Sequence, residues 1–520
     1  MELWVQTQRQ QGSRIAELGP RLSRTTNHES RVPLHFSLLG FLLWWASLLL
    51  GIAALSAREF PPEVPPPKPI VLPTPQIREL PNGLRIMVIE RHSLPLVTLR
   101  LMVKSGAEAD PPTLPGTAQL TAGLLSQGTA RRNASDIAET VDSVGGSLEV
   151  GAEWDSSFAS LTVLADNTEL AFDLLSDVIL HPSFAPAEVE RKRQQTLSAL
   201  ELARDDPEYL ADTALTVLLY SRTPYGHPLD GTEESVRRLT ARDLQSFHTT
   251  HYRPSNSVLA AVGDITMDQA LTLAERFFGE WETRPGPPRP ASVIAPAQSQ
   301  RIVVIDKPNA VQTEIRVGHL GIRRSNPDYF ALTVANQILG GPATNRLFKA
   351  LRTQRGLTYG ASSDLLCRQT LGGWVAKTST RTAETIETVQ QVLEQIQRLR
   401  DRPITPAELR TAQSYLVGHL ALEFESSHDL AEHFLELLLY DLPLDYWNRF
   451  PQRIEALGAE AVSQATQRYL SPERSTIVLV GSAAGFGRNL GKLGRHEVIA
   501  ARDLDFHSPD LRRAAHAAGH

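Results

Sequence analysis

The chain has 520 residues, 42% hydrophobic and 21% charged, with a formal net charge of −6 and an isoelectric point near 6.2. That is polypeptide enough for two or more domains with cores of their own. The acidic balance supplies no basic stripe for nucleic acid, and a single cysteine, Cys367, excludes an intrachain disulfide framework and any cysteine-based zinc site.

Residues 1–35 carry five arginines and three acids and read as a weakly basic leader. Phe36 to Ala57, FSLLGFLLWWASLLLGIAALSA, holds no charge, and its 22 residues match a hydrocarbon core of about 30 Å as a transmembrane signal anchor. A cleavable signal peptide is the alternative, since AALSA ends in small residues. Either way the folded part is expected to be exported, anchored at the periplasmic or extracytoplasmic face or secreted after cleavage, with the leader left inside. Residues 58–76 are a Pro-rich spacer; eight prolines between 61 and 75 make it stiff.

A first folded segment, 77–282, opens with LPNGLRIMVIE, where Asn82-Gly83 is a turn signal ahead of an apolar strand. A second strand is expected over Pro95–Val103. GTAQLTAGLLSQGT (116–129) has the glycine punctuation and small-residue spacing of a helix that ordinarily carries chemistry, yet it contains no acid, base or metal ligand. Helical and strand patterns alternate to Trp281. TRPGPPRPASVIAPAQSQ (283–300), with five prolines, reads as a linker. RIVVID then starts a strand, a second mixed segment covers 301–500, and 501–520 is a tail whose His507, His516 and His520 are expected to lie in a disordered polar end.

The two segments look like copies. SVRRLTARDLQSFHTTHYRPSNSVLAAVGDI (235–265) parallels RIEALGAEAVSQATQRYLSPERSTIVLVGSA (453–483). In each, a helix runs to Tyr252 or Tyr469, a proline turn follows, and an apolar strand closes at Gly263 or Gly481. The tyrosines lie 217 residues apart, one domain length, so an internal duplication is inferred. The expected fold class is α+β: two homologous domains, each a mostly antiparallel sheet with helices packed on one face, preceded by an N-terminal transmembrane helix.

Six stretches, in this order and spacing, carry a resemblance: ELPNGLRIMVIE; SGAEADPP; GTA…GLLSQGT; SVGGSLEVGAEWDSSFASLTVLADNTELAFDLLSDVILHPSF; HYRPSNSVLAAVGDI; and TNRLFKALRTQRGLTYGASS. Over residues 77–500 the chain resembles the pitrilysin/insulinase family of zinc peptidases, in particular the mitochondrial-processing-peptidase type. The resemblance implies two domains facing each other as a clam around a cavity, and a similarly built partner. Active members carry an inverted H-x-x-E-H on the helix that here begins at Gly116. Its histidines bind zinc from one helical face, and its glutamate activates the metal-bound water. The five positions here are Gln119, Leu120, Thr121, Ala122 and Gly123. The third ligand, a glutamate about 75–80 residues further on, falls at Ala199 or Leu200. Glu201 is one residue away, about 100° round a helix. The metal positions are therefore degenerate at Gln119, Ala122, Gly123 and Ala199; no cofactor is expected in this chain, and zinc is expected in the partner subunit. Elsewhere, His248 and His251 in FHTTHY read as a solvated helix end, and His428 and His433 are poorly spaced for one helical face.

The resemblance also places Arg352 and Tyr359 where relatives bring an arginine and a tyrosine to the bound peptide and the reacting carbonyl. A guanidinium donates forked hydrogen bonds to carbonyls, and a phenol polarises an oxyanion. A surface salt bridge and a packed ring at the start of a strand are the ordinary alternatives. Gly146, Ser147, Leu148 and Glu149 match the family's edge strand, which captures peptide by strand addition, or they simply complete a sheet. Gly340 and Gly341 resemble the glycine-rich loop of some non-catalytic subunits, or form a helix–helix turn. The function implied is that of a non-catalytic subunit without independent proteolytic activity. It binds peptide or unfolded protein and supplies Arg352 and Tyr359 in trans to an H-x-x-E-H-bearing homologue, with membrane contact through 36–57 and no nucleic-acid partner. The alternatives are a catalytically inactive scaffold of a membrane-associated complex and a peptide-binding module. There is no G-x-S-x-G elbow and no G-x-x-x-x-G-K-[ST] loop, and Cys367 reads as a small core residue.

Overall fold

The computed structural model describes residues 71–284, 286–287, 299–342 and 345–513. The first sheet is built from β1 (Gln76–Glu79), β2 (Arg85–Glu90), β3 (Leu96–Val103), β4 (Ser147–Ala152), β5 (Ser157–Leu164) and β6 (Ser257–Gly263). The second uses β7 (Arg301–Asp306), β8 (Gln312–Leu320), β9 (Ala361–Leu366), β10 (Gly373–Arg381), β11 (Thr476–Gly481) and β12 (His496–Ala500). Helices α1 (Thr117–Leu124), α2 (Ala134–Ser143), α3 (Thr168–Leu180), α4 (Pro186–Ala203), α5 (Pro207–Leu219), α6 (Glu233–Arg238), α7 (Ala241–His251) and α8 (Met267–Phe278) belong to the first half of the chain. The second half contributes α9 (Tyr329–Gly340), α10 (Arg346–Phe348), α11 (Thr385–Asp401), α12 (Pro406–His419), α13 (Ser427–Leu439), α14 (Tyr446–Glu455), α15 (Ala459–Tyr469) and α16 (Ala483–Leu490).

The strand orders are β1-β2-β6-β3-β5-β4 and β12-β7-β11-β8-β10-β9. Five strands therefore repeat in order and direction, with β2 parallel to β6 and β7 parallel to β11 while the other shared pairs are antiparallel. The duplication read from Tyr252 and Tyr469 is present as topology: a helix, a short 3-10 turn at Pro254 or Pro472, then β6 or β11. The copies differ at the outer edge, where β1 runs antiparallel to β2 but β12 runs parallel to β7. Local chemistry sets the entry to β2: Gly83 has φ of +89°, and Asn82 Oδ1 accepts from the Leu84 amide at 3.1 Å.

Packing on one face of each sheet is where the expectation needs correction. In β2, Ile86 and Val88 pack with Phe172 and Phe278 of their own half. Met87 and Ile89, pointing the other way, join Leu430, Phe434 and Leu437 of α13, from the second half. Reciprocally, Val303, Ile305, Val478 and Val480 pack with Leu210, Ala214 and Leu218 of α5, from the first half. Each sheet thus has both faces covered, one of them by a helix of the other half. The cause is visible in SVLAAVG and RIVVID, continuous apolar runs rather than the alternation of a half-solvated strand.

Two further corrections concern the chain ends. The tail is not a polar end throughout, because Leu504, Phe506 and Leu511 are buried with α5 and β7, and Arg204 donates to the Leu504 carbonyl at 3.2 Å. His516 and His520 lie outside the described residues. The N-terminal transmembrane helix is not supported. No helix among the described residues is long and apolar enough to cross a membrane, the longest, α4, carrying six charged side chains. Residues 36–57, on which that expectation rested, lie outside the described residues. The fold class that stands is the pair of α+β domains.

Candidate functional site

Helix α1 begins abruptly. Gly116 has φ of +90°, and a Cβ there would stand 2.8 Å from the Asp230 carbonyl oxygen. Asp110 takes the helix N-terminus, accepting from the Gly116 amide at 2.6 Å and the Ala118 amide at 2.7 Å. Burial pushes its carboxyl up to about 8, against the pull of those amides. Leu120 and Leu124 are buried with Leu200, Val236 and Leu244, while Ala118 and Ala122 sit in the core under the first sheet. Gln119 and Gly123, one turn apart, remain on the half-buried face.

These positions do not fit a zinc ion. Both ends of the Gln119 amide are engaged: Oε1 accepts from the Ala152 amide at the end of β4 at 2.9 Å, and Nε2 donates to Asp230 at 3.2 Å. Ala122 presents a methyl to the core, and Ala199 an exposed methyl on α4. Gly123 faces Lys192 of α4, whose Cε and Nζ would lie 2.8 and 3.1 Å from a Cβ at that position. Neutral amide, methyls and an ammonium are the wrong donor set for a divalent cation. Among the described residues no group of three or more His, Cys, Asp or Glu is placed to hold a metal.

The histidines are otherwise employed. His248 and His251 are half-buried rather than solvated, because α7 packs against α1 and the turn after α3. His248 Nε2 meets the Ile179 carbonyl at 2.8 Å and its ring stacks on Tyr252, while His251 Nδ1 meets Ser105 Oγ at 3.0 Å. Burial brings both down to about 4. They bond to different partners and do not converge.

Strand β4 pairs only with β5, so its outer edge meets no strand among the described residues. Gly145, at φ of +60°, turns the chain into it. Gly146 lies close over the backbone of β5, Ser147 and Glu149 are exposed, and Leu148 packs partly onto the core. In the second half the equivalent edge is β9. Just upstream, α10 widens into a π-helical turn, Lys349–Thr353, in which the Gln354 amide reaches the Lys349 carbonyl at 3.0 Å. Single π turns are frequent where a side chain is aimed for function, and this one carries Arg352. Its guanidinium lies 4.5 Å from the ring centre of Tyr359, which is 85% exposed. The loop beneath is pinned, Thr380 donating to the Leu357 carbonyl at 2.6 Å and Thr378 to the Gly360 carbonyl at 2.8 Å. The structure thus brings Arg352 and Tyr359 together at the surface. Gly340 and Gly341 are buried, and a Cβ on Gly340 would stand 2.3 Å from the Ser363 amide, so its bare Cα lets α9 lie against β9.

One group escaped sequence reasoning. Asp155, between β4 and β5, is buried and accepts from the Tyr225 hydroxyl at 2.5 Å, the Gln369 amide at 3.0 Å and the Tyr440 hydroxyl at 3.1 Å. The Arg368 guanidinium, stacked 4.0 Å over Trp154, stands beside it. Burial raises the Asp155 carboxyl above its usual range, and Tyr225, Gln369 and Arg368 pull the other way. This one carboxylate joins both halves of the chain.

Comparison with known proteins places the fold in a lineage. Residues 85–233 match the family model described as Insulinase (Peptidase family M16), and residues 238–416 match the one described as Peptidase M16 inactive domain. An uncharacterized zinc protease of Mycobacterium leprae is 31% identical over 355 residues, 67% of this chain and 79% of its own length. The chain belongs to the insulinase (peptidase M16) family. An uncharacterized zinc protease of Mycobacterium tuberculosis is 32% identical over 377 residues, 70% of this chain and 84% of its own. The mitochondrial-processing peptidase subunit beta of Bos taurus is 23% identical over 425 residues, 79% and 86% of the two chains. The crystal structure of a peptidase M16 inactive domain from Pseudomonas fluorescens superposes with a TM-score of 0.73 at 30% identity, covering 78% of this chain and 98% of that one. A protease from Helicobacter pylori shares the fold with a TM-score of 0.73 at 19% identity, over 79% and 100% of the chains. Within the insulinase family this chain is a peptidase homologue.

Proposed function

We propose that the chain is the non-catalytic member of a two-subunit insulinase-family peptidase. It holds an extended peptide and supplies Arg352 and Tyr359 to the zinc site of an H-x-x-E-H-bearing homologue. One observation carries the reading: a guanidinium and a phenol are stacked on pinned backbone, open to solvent beside the edge strand β9, in a chain whose own α1 has no metal ligands. Functional groups are commonly set on loops that a rigid scaffold positions. The guanidinium suits peptide carbonyls, and the hydroxyl suits the oxygen that becomes negative as a peptide bond is attacked. The likeness to a protein named as one subunit of a processing peptidase supports a homologous partner.

The test is co-purification of the full chain with an H-x-x-E-H homologue from the same genome, with peptidase activity and zinc content measured for each chain alone and for the complex. Cleavage is expected to rise on complex formation. Arg352→Ala with Tyr359→Phe is expected to lower kcat by roughly 10²–10³, the range found for loss of an oxyanion donor, with the complex intact by gel filtration. A partner fully active by itself refutes the reading. So does an intact complex indifferent to the double variant.

A further inference from the structure

Helix α4 carries three consecutive basic residues, and they are not alike. Arg191 pairs with Glu188 at 2.7 Å. Arg193 pairs with Glu190 and donates to the carbonyls of Val236 at 3.2 Å and Leu239 at 2.6 Å. Lys192, between them, turns onto α1 and lays its terminal carbon and ammonium against Gly123, 2.8 and 3.1 Å from where a Cβ would be. Glycine leaves that room to the ammonium. Lys192 is half-buried, and among the described residues no carboxylate pairs with it. A charge drawn partly out of water without a counter-ion is unfavourable unless an anion arrives.

The position relates this cation to a strand edge. Gly123 lies one turn along α1 from Gln119, and the Gln119 side chain holds the Ala152 amide at 2.9 Å, at the end of β4. One turn of helix is about 5.4 Å, so the residue that the ammonium covers sits about that far along α1 from the residue that holds the end of the open edge. A divalent metal would polarise water at such a place; an ammonium has no open coordination position and instead pairs with an anion.

We infer that Lys192, over Gly123, forms an anion subsite at the end of β4 that takes a carboxylate of the bound peptide, either its C-terminal group or an Asp or Glu side chain. The inference rests on the peptide-holding reading above. The experiment uses the full chain and ten-residue peptides carrying an uncharged BODIPY dye on the N-terminus, in four forms: C-terminal acid or amide, each with or without one internal Glu. Binding is followed by fluorescence anisotropy at low and moderate salt.

Carboxylate-bearing peptides are expected to bind at least tenfold more tightly than the neutral amide, with a preference that shrinks as salt rises. Lys192→Met, checked by circular dichroism, brings them down to the neutral peptide's affinity, and Lys192→Arg retains the preference. Which of the acid and Glu forms carries it identifies the source of the carboxylate. Equal binding of charged and neutral peptides by the wild type overturns the subsite and leaves peptide holding intact, as does a preference that survives Lys192→Met. Failure of all four peptides to bind overturns peptide holding and the subsite with it.

Discussion

Replacing Asp155 with alanine removes one acceptor from three donors at once. The Tyr225 hydroxyl at 2.5 Å, the Gln369 amide at 3.0 Å and the Tyr440 hydroxyl at 3.1 Å all end on its two oxygens. A buried donor left unpaired costs about 1–3 kcal/mol. Three at the middle of that range give about 6 kcal/mol, which rotation of the two hydroxyls reduces to about 4 kcal/mol. Asp155→Asn keeps an acceptor oxygen but gives up the charge beside Arg368, and is expected to cost about half as much. Urea unfolding reads the loss through tryptophan fluorescence, Trp154 being adjacent, and hydrogen exchange locates it at residues 366–371 and 437–441. Because burial holds this carboxyl above its unfolded value, about 3.9, the folded state binds the proton more tightly. Wild-type stability therefore declines as pH rises above that value, and Asp155→Asn flattens that part of the profile. An Asp155→Ala protein within about 1 kcal/mol of wild type, with unchanged exchange in the two segments, refutes the claim that this carboxylate ties the halves together.

His433 predicts a second pH effect. Burial opposes its charge, but Glu423 at 3.5 Å and Glu436 at 3.9 Å outweigh that and raise it to about 9. Its contribution, of order 3 kcal/mol, is complete below about pH 6.5 and lost as pH rises through 9, so a urea series over that window should show a slope that His433→Gln removes. Gly116→Ala forces a side chain at φ of +90° into backbone 2.8 Å away and should cost about 2–4 kcal/mol by thermal melting. Gly123→Ala meets only the end of Lys192, so it should leave the melting temperature unchanged or raise it slightly, a helix-interior alanine being favoured by about 1 kcal/mol. Burial pushes the Cys367 thiol up to about 12, leaving about one molecule in 10⁴ as thiolate at pH 8. It should resist a disulfide reagent in the folded protein and react at once in urea; rapid reaction in native buffer contradicts the assignment.

The central strands and the duplication were legible because their signals are local. RIMVIE, SVLAAVG and RIVVID are apolar runs bounded by turns, and Tyr252 and Tyr469 mark the same corner twice. The continuous character of those runs also announced burial on both faces, a message overlooked in expecting helices on one side only. What the sequence did not disclose depends on partners far along the chain. QIRE and HEVIA are too short and polar to read as strands, and pair only because β2 and β7 offer an edge. His248 and His251 lie in a polar stretch and are half-buried because α1 and the turn after α3 close over them. Asp155 has partners 70, 214 and 285 residues away. The α1 frame showed, by its lack of any acid, base or histidine, that no metal ligand stands there; that Lys192 faces the gap is a matter of helix azimuth, which the unbroken basic run Arg191-Lys192-Arg193 hid.

The exchange of α5 and α13 between the two sheets has a consequence for how the chain can be divided. A cut in the proline-rich stretch 283–300 looks like separation of two modules, yet neither fragment carries the helix that closes its own sheet. Each fragment by itself would present a bare apolar face and aggregate, and the two would be rescued only by meeting one another. Whatever ancestral repeat was doubled to make this protein, its descendants are now obligate companions, a complementation pair written as one polypeptide.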